Sequence, residues 1–239
     1  MNSVGTKKIL GVKRALVAAC LAAAVVAATV PAQAQSASRI RRESNQNRKN
    51  RIQRTVDETY SHRYEAGGGG GFLRFRSGSN LQQSSEVSFW ANNTYYLDRK
   101  LGITGQVNGS YGNAKLGNNG LIQYNPKISE YTFMAGPTYR FRMREKYALS
   151  VFVTGGLALG KFDGDSKGFT SQDFQDAGYH LWNSGYSGAV SAGVNFDYNF
   201  YPNLALRISP LYKATTFGGS VQNNKGFDMG LVYRFGKLK

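Results

Sequence analysis

The sequence predicts an all-β protein, an eight-stranded antiparallel up-and-down transmembrane β-barrel. Three observations carry that expectation: the C-terminal strand, the period-two alternation upstream of it, and connections that alternate short and long. The last strand reads D-M-G-L-V-Y-R-F from Asp228 to Phe235. Side chains alternate faces along a strand, so Phe227, Met229, Leu231, Tyr233 and Phe235 share one side, opposite Asp228, Gly230, Val232 and Arg234. One side is wholly apolar.

The N-terminus carries Lys7, Lys8, Lys13 and Arg14, an apolar run over residues 15–30, and then Pro31-Ala32-Gln33-Ala34. That order of charge, apolar run and small residues predicts a secretory signal peptide over residues 1–34, cleaved after Ala34. The one cysteine, Cys20, follows Val17-Ala18-Ala19 in imitation of a lipoprotein site. Most of the apolar run lies after it, so lipidation is not expected. Once the signal is removed, no thiol is left for a disulfide, a metal or a nucleophile.

Beyond the signal no run of 18 apolar residues occurs, so no spanning helix is expected. A chain that crosses lipid without such a helix must close its strands into a barrel, because unpaired backbone groups have no water to bond there. Glycine supplies 29 of 239 residues, about 12% against a typical ~7%. Mean hydropathy is negative despite the many aromatics, as it is where half of every strand faces a polar lumen.

The first strand, residues 64–76, holds Gly67 to Gly71 in a row and then Phe72-Leu73-Arg74-Phe75, which no single phase satisfies. A bulge or kink in the glycine run is the expected remedy. The second, residues 86–96, sets Val87, Phe89, Ala91 and Tyr95 outward, with Trp90 in the lumen and Asn93 in lipid. The third, residues 101–112, separates Leu101, Ile103, Val107 and Tyr111 from Thr104, Gln106, Asn108 and Ser110. The fourth, residues 130–141, sets Tyr131, Phe133, Tyr139 and Phe141 against Glu130, Thr132, Thr138 and Arg140. The fifth, residues 147–160, turns Tyr147, Leu149, Val151, Val153 and Leu157 outward. In the sixth and seventh, residues 186–199 and 204–216, the outward phase moves to even numbers, and Asn195, Asp197, Arg207 and Lys213 fall inside. The eighth closes on the first.

Connections after the second, fourth and sixth strands (97–100, 142–146, 200–203) are short. Those after the first, third, fifth and seventh (77–85, 113–127, 161–185, 217–225) are long and polar. Short turns alternating with long loops place the turns and both termini on the periplasmic side of a bacterial outer membrane. A strand of roughly 10–12 residues, rising ~3.3 Å each and tilted ~45°, covers about 23–28 Å of apolar band. Aromatics gather at both heights. Tyr95, Tyr139, Phe141, Tyr147, Phe196, Tyr198, Tyr201, Tyr233 and Phe235 form one girdle; Phe75, Phe89, Tyr111, Tyr131, Tyr186, Phe217 and Phe227 form the other.

The strand count, the loop alternation and the terminal D-x-G-x-x-Y-x-F resemble the OmpA/OmpX-type family of small outer-membrane barrels, from Tyr64 to Phe235. The resemblance implies that Asp228, Gly230, Tyr233 and Phe235 act as a recognition signal for the barrel assembly machinery. The larger architecture in that family adds a peptidoglycan-binding domain, which is not expected here. The expected domains are therefore the signal at 1–34, a basic periplasmic segment at 35–63, and the barrel at 64–239.

The formal charge of +16 invites a nucleic-acid partner, but its distribution argues against one. Four charges leave with the signal, and Arg39, Arg41, Arg42, Arg48, Lys49, Arg51, Arg54 and Arg63 cluster ahead of the strands. A solvated tail, or a contact with anionic envelope lipid or polymer, suits such a cluster. Within it Ile52, Val56 and Tyr60 recur at helical spacing. That spacing is compatible with a short helix that docks at the barrel mouth or frays.

The expected lumen charge network is Arg74, Glu86, Glu130, Lys213 and Asp228 toward the outer half, with Glu65, Arg140, Asp197, Arg207 and Arg234 toward the periplasmic half. Arg74 is expected to meet Glu86 or Asp228, and Asp197 to face Arg207. Such a network fills the interior of a small barrel structurally; lining a narrow ion path is the alternative. A lipid-modifying enzyme built on His180 with Ser184 or Ser187 has weaker support, since lone loop residues are usually just solvated. Gly155 to Lys161 spells part of a phosphate loop but lies in a strand and continues into Phe162. Asp163-Gly164-Asp165 lacks the glycine and terminal glutamate of a calcium loop. No catalytic set, cofactor or metal is expected. The expected partners are outer-membrane lipid, the assembly machinery and a surface ligand at residues 161–185, whose aromatics either bind that partner or fold over the mouth. The chain is expected to be a monomer.

Overall fold

The computed structural model describes residues 44–78, 81–115, 126–164, 176 and 181–238. The expected signal peptide, the residues before Ser44 and most of the 161–185 connection lie outside the described residues. Helix α1 (Asn45–Tyr60) leads into β1 (His62–Phe75), β2 (Ser84–Tyr96), β3 (Leu101–Asn113), β4 (Lys127–Met143), β5 (Tyr147–Gly164), β6 (Gly185–Tyr201), β7 (Leu204–Thr215) and β8 (Gln222–Lys237). The strands pair in chain order, and β1 pairs antiparallel with β8 to close the barrel. Closure removes both sheet edges.

The alternation read from sequence maps onto the two faces of the wall. Val87 is 72% exposed and Leu157 59%, whereas Glu86 and Arg234 are at most 1% exposed. An exposed belt of Ile103, Phe133, Val153, Val190 and Leu231 is far larger than a water-soluble surface tolerates and suits a hydrocarbon solvent. Trp90 points inward and Asn93 outward, as the second strand's phase requires.

At the end with the short turns, Tyr64 stands 5.4 Å from both Tyr95 and Phe235 in an aromatic ring around the wall. Asp98 shapes the β2–β3 turn by accepting backbone N–H bonds from Lys100 (2.6 Å) and Leu101 (2.8 Å). The Leu101 and Lys100 amides hold its carboxyl below the ordinary range. At the opposite end Phe72 lies 6.3 Å from Phe227 and Phe89 6.2 Å from Tyr111, while the Tyr111 and Tyr131 hydroxyls bond to each other.

Three expectations need correction. β1 has no bulge: its register runs unbroken from Tyr64 to Phe75 against β2. One phase does serve, with Glu65, Leu73 and Phe75 inward and Phe72 and Arg74 outward. The glycines exist for space rather than for a kink. A Cβ on Gly69 would run into Met229 O and Gly230 Cα across the closing seam, and one on Gly67 would come within 3.0 Å of the Trp90 ring. Second, the seventh connection is short, because β8 begins at Gln222 and β7 runs to Thr215. Third, Phe75 and Phe217 do not join the lipid girdle; both are buried within the wall.

Candidate functional site

Inward-facing residues divide the lumen into a turn-end layer, a loop-side layer and a plug at the loop end. In the turn-end layer β1 supplies Glu65, which accepts from Arg140 Nη2 at 2.6 Å, Arg234 Nε at 2.6 Å, Arg207 Nη2 at 3.0 Å and Tyr96 OH at 3.1 Å. Asp197, paired with Arg207 in the β6–β7 register, receives Arg207 Nε at 2.6 Å and Nη2 at 2.8 Å, and Arg234 Nη2 at 3.1 Å. Three guanidiniums thus bracket two carboxylates, all of them at most 3% exposed on their side chains. A buried charge survives only when paired and hydrogen-bonded, and planar guanidinium forks do both.

The leftover positive charge meets aromatic faces. Arg140 lies 4.1 Å from the Tyr96 ring centroid and 5.0 Å from that of Tyr60, and Arg234 lies 5.6 Å from Tyr60. Cations over such rings are stabilised by the ring quadrupole. Tyr60 arrives from the end of α1. Its hydroxyl donates to Arg144 O (2.7 Å) and Tyr147 O (3.1 Å) and accepts from Asn199 Nδ2 (2.9 Å). Burial keeps its phenol above the ordinary value. The helix therefore docks: Ile52 and Val56 are half-buried and Tyr60 is 1% exposed. Asp57 pairs with Arg99 at 2.6 Å outside.

The loop-side layer holds Glu86, Glu130, Asp228 and Lys213. Lys213 reaches across from β7 to Glu130 Oε1 at 3.4 Å, and Asp228 accepts from Asn108 Nδ2 at 3.5 Å. Arg74 is not in the lumen. It is exposed beside Lys225, its register partner on β8, and it forms neither pair expected of it. Between the layers lies a cavity of about 10 Å³ lined by Trp90, Gln106, Asn195, Arg207 and Asp228 among others, enough for about one water.

An apolar plug closes the loop end. Phe75 stacks on Phe162 at 6.1 Å, Trp182 meets both edge-on at 5.9 Å, and Phe217 meets Phe162 edge-on at 5.1 Å. Gly218 adopts φ 64°, and any Cβ there would strike the Trp182 ring. Gln222 ties the 3₁₀ turn at Phe217–Gly219 from beneath, with Nε2 donating to Phe217 O at 2.5 Å and Oε1 accepting from Phe217 N at 2.9 Å. Trp182 thus folds over the mouth, while Phe169, Phe174, Tyr179 and His180 lie outside the described residues. Ser184 accepts from Phe162 N, and Ser187 bonds Thr216 Oγ1. The fold-over of the loop aromatics was one of the two expectations for that connection, but the part of Phe75 and Phe217 in it was not, although Leu73 and Phe75 share the odd-numbered phase of Glu65.

Asp228, Gly230, Tyr233 and Phe235 sit on β8 with Asp228 inward and both aromatics in the turn-end girdle. No family model matches the chain, and no curated protein matches it by sequence. By structure it is similar to neisserial surface protein A, at 12% identity over 72% of this chain and 97% of that one, with a TM-score of 0.51. It is similar also to OprG of Pseudomonas aeruginosa, at 12% identity over 74% of this chain and 97% of that one, with a TM-score of 0.50. Ail of Yersinia pestis, solved with the heparin analogue sucrose octasulfate, matches at 15% identity over 72% and 97% of the two chains, with a TM-score of 0.46. With its closed eight-stranded wall and apolar exterior, the chain has the fold of the small outer-membrane β-barrels.

Proposed function

We propose that the protein is a monomeric, non-conducting barrel of the bacterial outer membrane with a structural or surface-interaction role. Its short turns, α1 and both termini face the periplasm, and its longer connections face outward. The observation that carries this reading is occlusion at both ends. Tyr60 sits on the arginine network at one mouth, and Phe75, Phe162, Trp182 and Phe217 fill the other. The cavity lined by Trp90, Gln106, Asn195, Arg207 and Asp228 between them holds about 10 Å³, room for about one water rather than a column.

Outer-membrane lipid contacts the belt, and the assembly machinery receives the chain through β8. A surface ligand engages the 161–185 connection. No catalytic role is proposed. Planar-bilayer recording on pure refolded protein tests the occlusion: a flat baseline is expected. Discrete conductance steps would replace this reading with that of a narrow channel.

A further inference from the structure

The two charged layers are not balanced alike. In the loop-side layer Glu86 and Glu130 are at most 1% exposed and Asp228 4%, and among the described residues Lys213 is the buried cation facing them. Lys213 lies within electrostatic reach of Glu86 and Asp228 as well as Glu130. With Arg74 outside, three carboxylates share one ammonium, an excess of two negative charges when all are ionised. Uncompensated charge of that kind is costly away from water.

The same layer holds six oxygens with no well-formed hydrogen bond among the described residues: Glu86 Oε1 and Oε2, Glu130 Oε2, Ser110 Oγ, Thr132 Oγ1 and Asn108 Oδ1, with the Ser110 hydroxyl close enough to Glu86 to steady its carboxylate. All six belong to three adjoining strands. Ser110 stands opposite both Ser88 and Glu130, and Asn108 opposite both Trp90 and Thr132. Glu86 packs against Gly112, where any Cβ would meet its Cγ at 2.7 Å. The missing side chain lets Glu86 lie across β3 toward Glu130.

We propose that Glu86, Glu130, Ser110, Thr132 and Asn108 form a buried site for a hard divalent cation of the calcium class. Calcium takes six to eight oxygen ligands in adaptable geometry and accepts carboxylate, hydroxyl and amide oxygens together. Six oxygens on these residues are left over once Glu130 Oε1 is given to Lys213, and a charge of two matches the excess of the layer with Asp228 counted. Softer metals are a poor fit, because every ligand atom offered is an oxygen, with neither thiolate nor imidazole among them. Water would satisfy the oxygens but leave the charge in place. The site extends the proposed function without depending on whether the lumen conducts.

The test uses the full chain refolded in neutral detergent, so that calcium cannot act through anionic lipid. Saturating calcium is expected to raise the unfolding midpoint by roughly 5–10 °C over the chelated protein. Terbium, which replaces calcium, is expected to luminesce on tryptophan excitation, since Trp90 neighbours Asn108 in the register. Both responses are expected to vanish in Glu86→Gln and to persist in Arg74→Ala, whose side chain lies outside. Should Glu86→Gln fail to fold, Ser110→Ala with Thr132→Val removes two oxygens without touching charge and is expected to weaken terbium binding at least tenfold. No calcium shift and no sensitised luminescence would overturn the proposal. So would a calcium response that survives in Glu86→Gln, or a midpoint that rises on acidification while ignoring calcium, which would assign the neutralisation to protons.

Discussion

The turn-end and loop-side layers of the lumen are built from the same alternating strands, yet one is saturated and the other is not. Around Glu65 every charge has an opposite charge within 3.1 Å, and the surplus guanidinium charge rests on Tyr60 and Tyr96. Around Glu86 oxygens outnumber donors, and Lys213 makes one 3.4 Å contact. The difference lies in the cations. Arginine offers five donors in a planar fork and bridges two carboxylates at once, whereas lysine is a point charge with three. Three arginines turn inward at one level, and the arginine nearest the other level turns outward.

Several substitutions break or sharpen that contrast. Glu65→Gln removes the hub of the saturated layer and leaves Arg140, Arg207 and Arg234 facing one carboxylate. A loss of about 3–5 kcal/mol is expected, read as a lowered urea midpoint or as failure to refold. Tyr60→Ala uncovers Arg140 and Arg234 and empties a buried site, at about 3 kcal/mol. Its second readout is faster amide exchange at Val56, where the docked wild-type helix exchanges more slowly than a free peptide. In the loop-side layer the sign reverses: in chelator, Glu86→Gln is expected to stabilise the barrel by about 1–2 kcal/mol, because it removes one of three buried carboxylates that share a single ammonium. A destabilised Glu86→Gln under those conditions would mean that the layer is balanced after all. Arg74→Ala is expected to stay within about 0.5 kcal/mol of wild type, whereas an effect like that of Glu65→Gln would return Arg74 to the lumen.

Much of the wall was legible because its signal is local. Leu101 to Tyr111 and Glu130 to Phe141 each separate polar from apolar residues within one strand, and no distant residue is needed to see it. The Asp197–Arg207 pair was legible too, since a tight turn fixes its register. β1 was read wrongly at Arg74 because burial was inferred from residue type: a charge was assigned inward and two apolar residues were left without a place. That inference fails where the lumen itself becomes apolar, as it does at Leu73 and Phe75. The same rule sent Phe75 and Phe217 to the lipid girdle, although an aromatic at a strand end serves a plug as readily as a membrane interface.

The sequence by itself determined the eight strands, the inward and outward faces of all but the first, and the short turns after the second, fourth and sixth, because period-two patterning and turn chemistry act between near neighbours. Apart from the Asp197–Arg207 pair, only the tertiary structure decided which lumen charges meet. Glu65 joins residues 75, 142 and 169 positions away, and those distances are set by how the closed sheet staggers and how far each side chain reaches across it. It likewise decided that α1 seals one mouth through Tyr60 and that aromatics seal the other. Both closures depend on a cavity that does not exist until β8 has paired with β1.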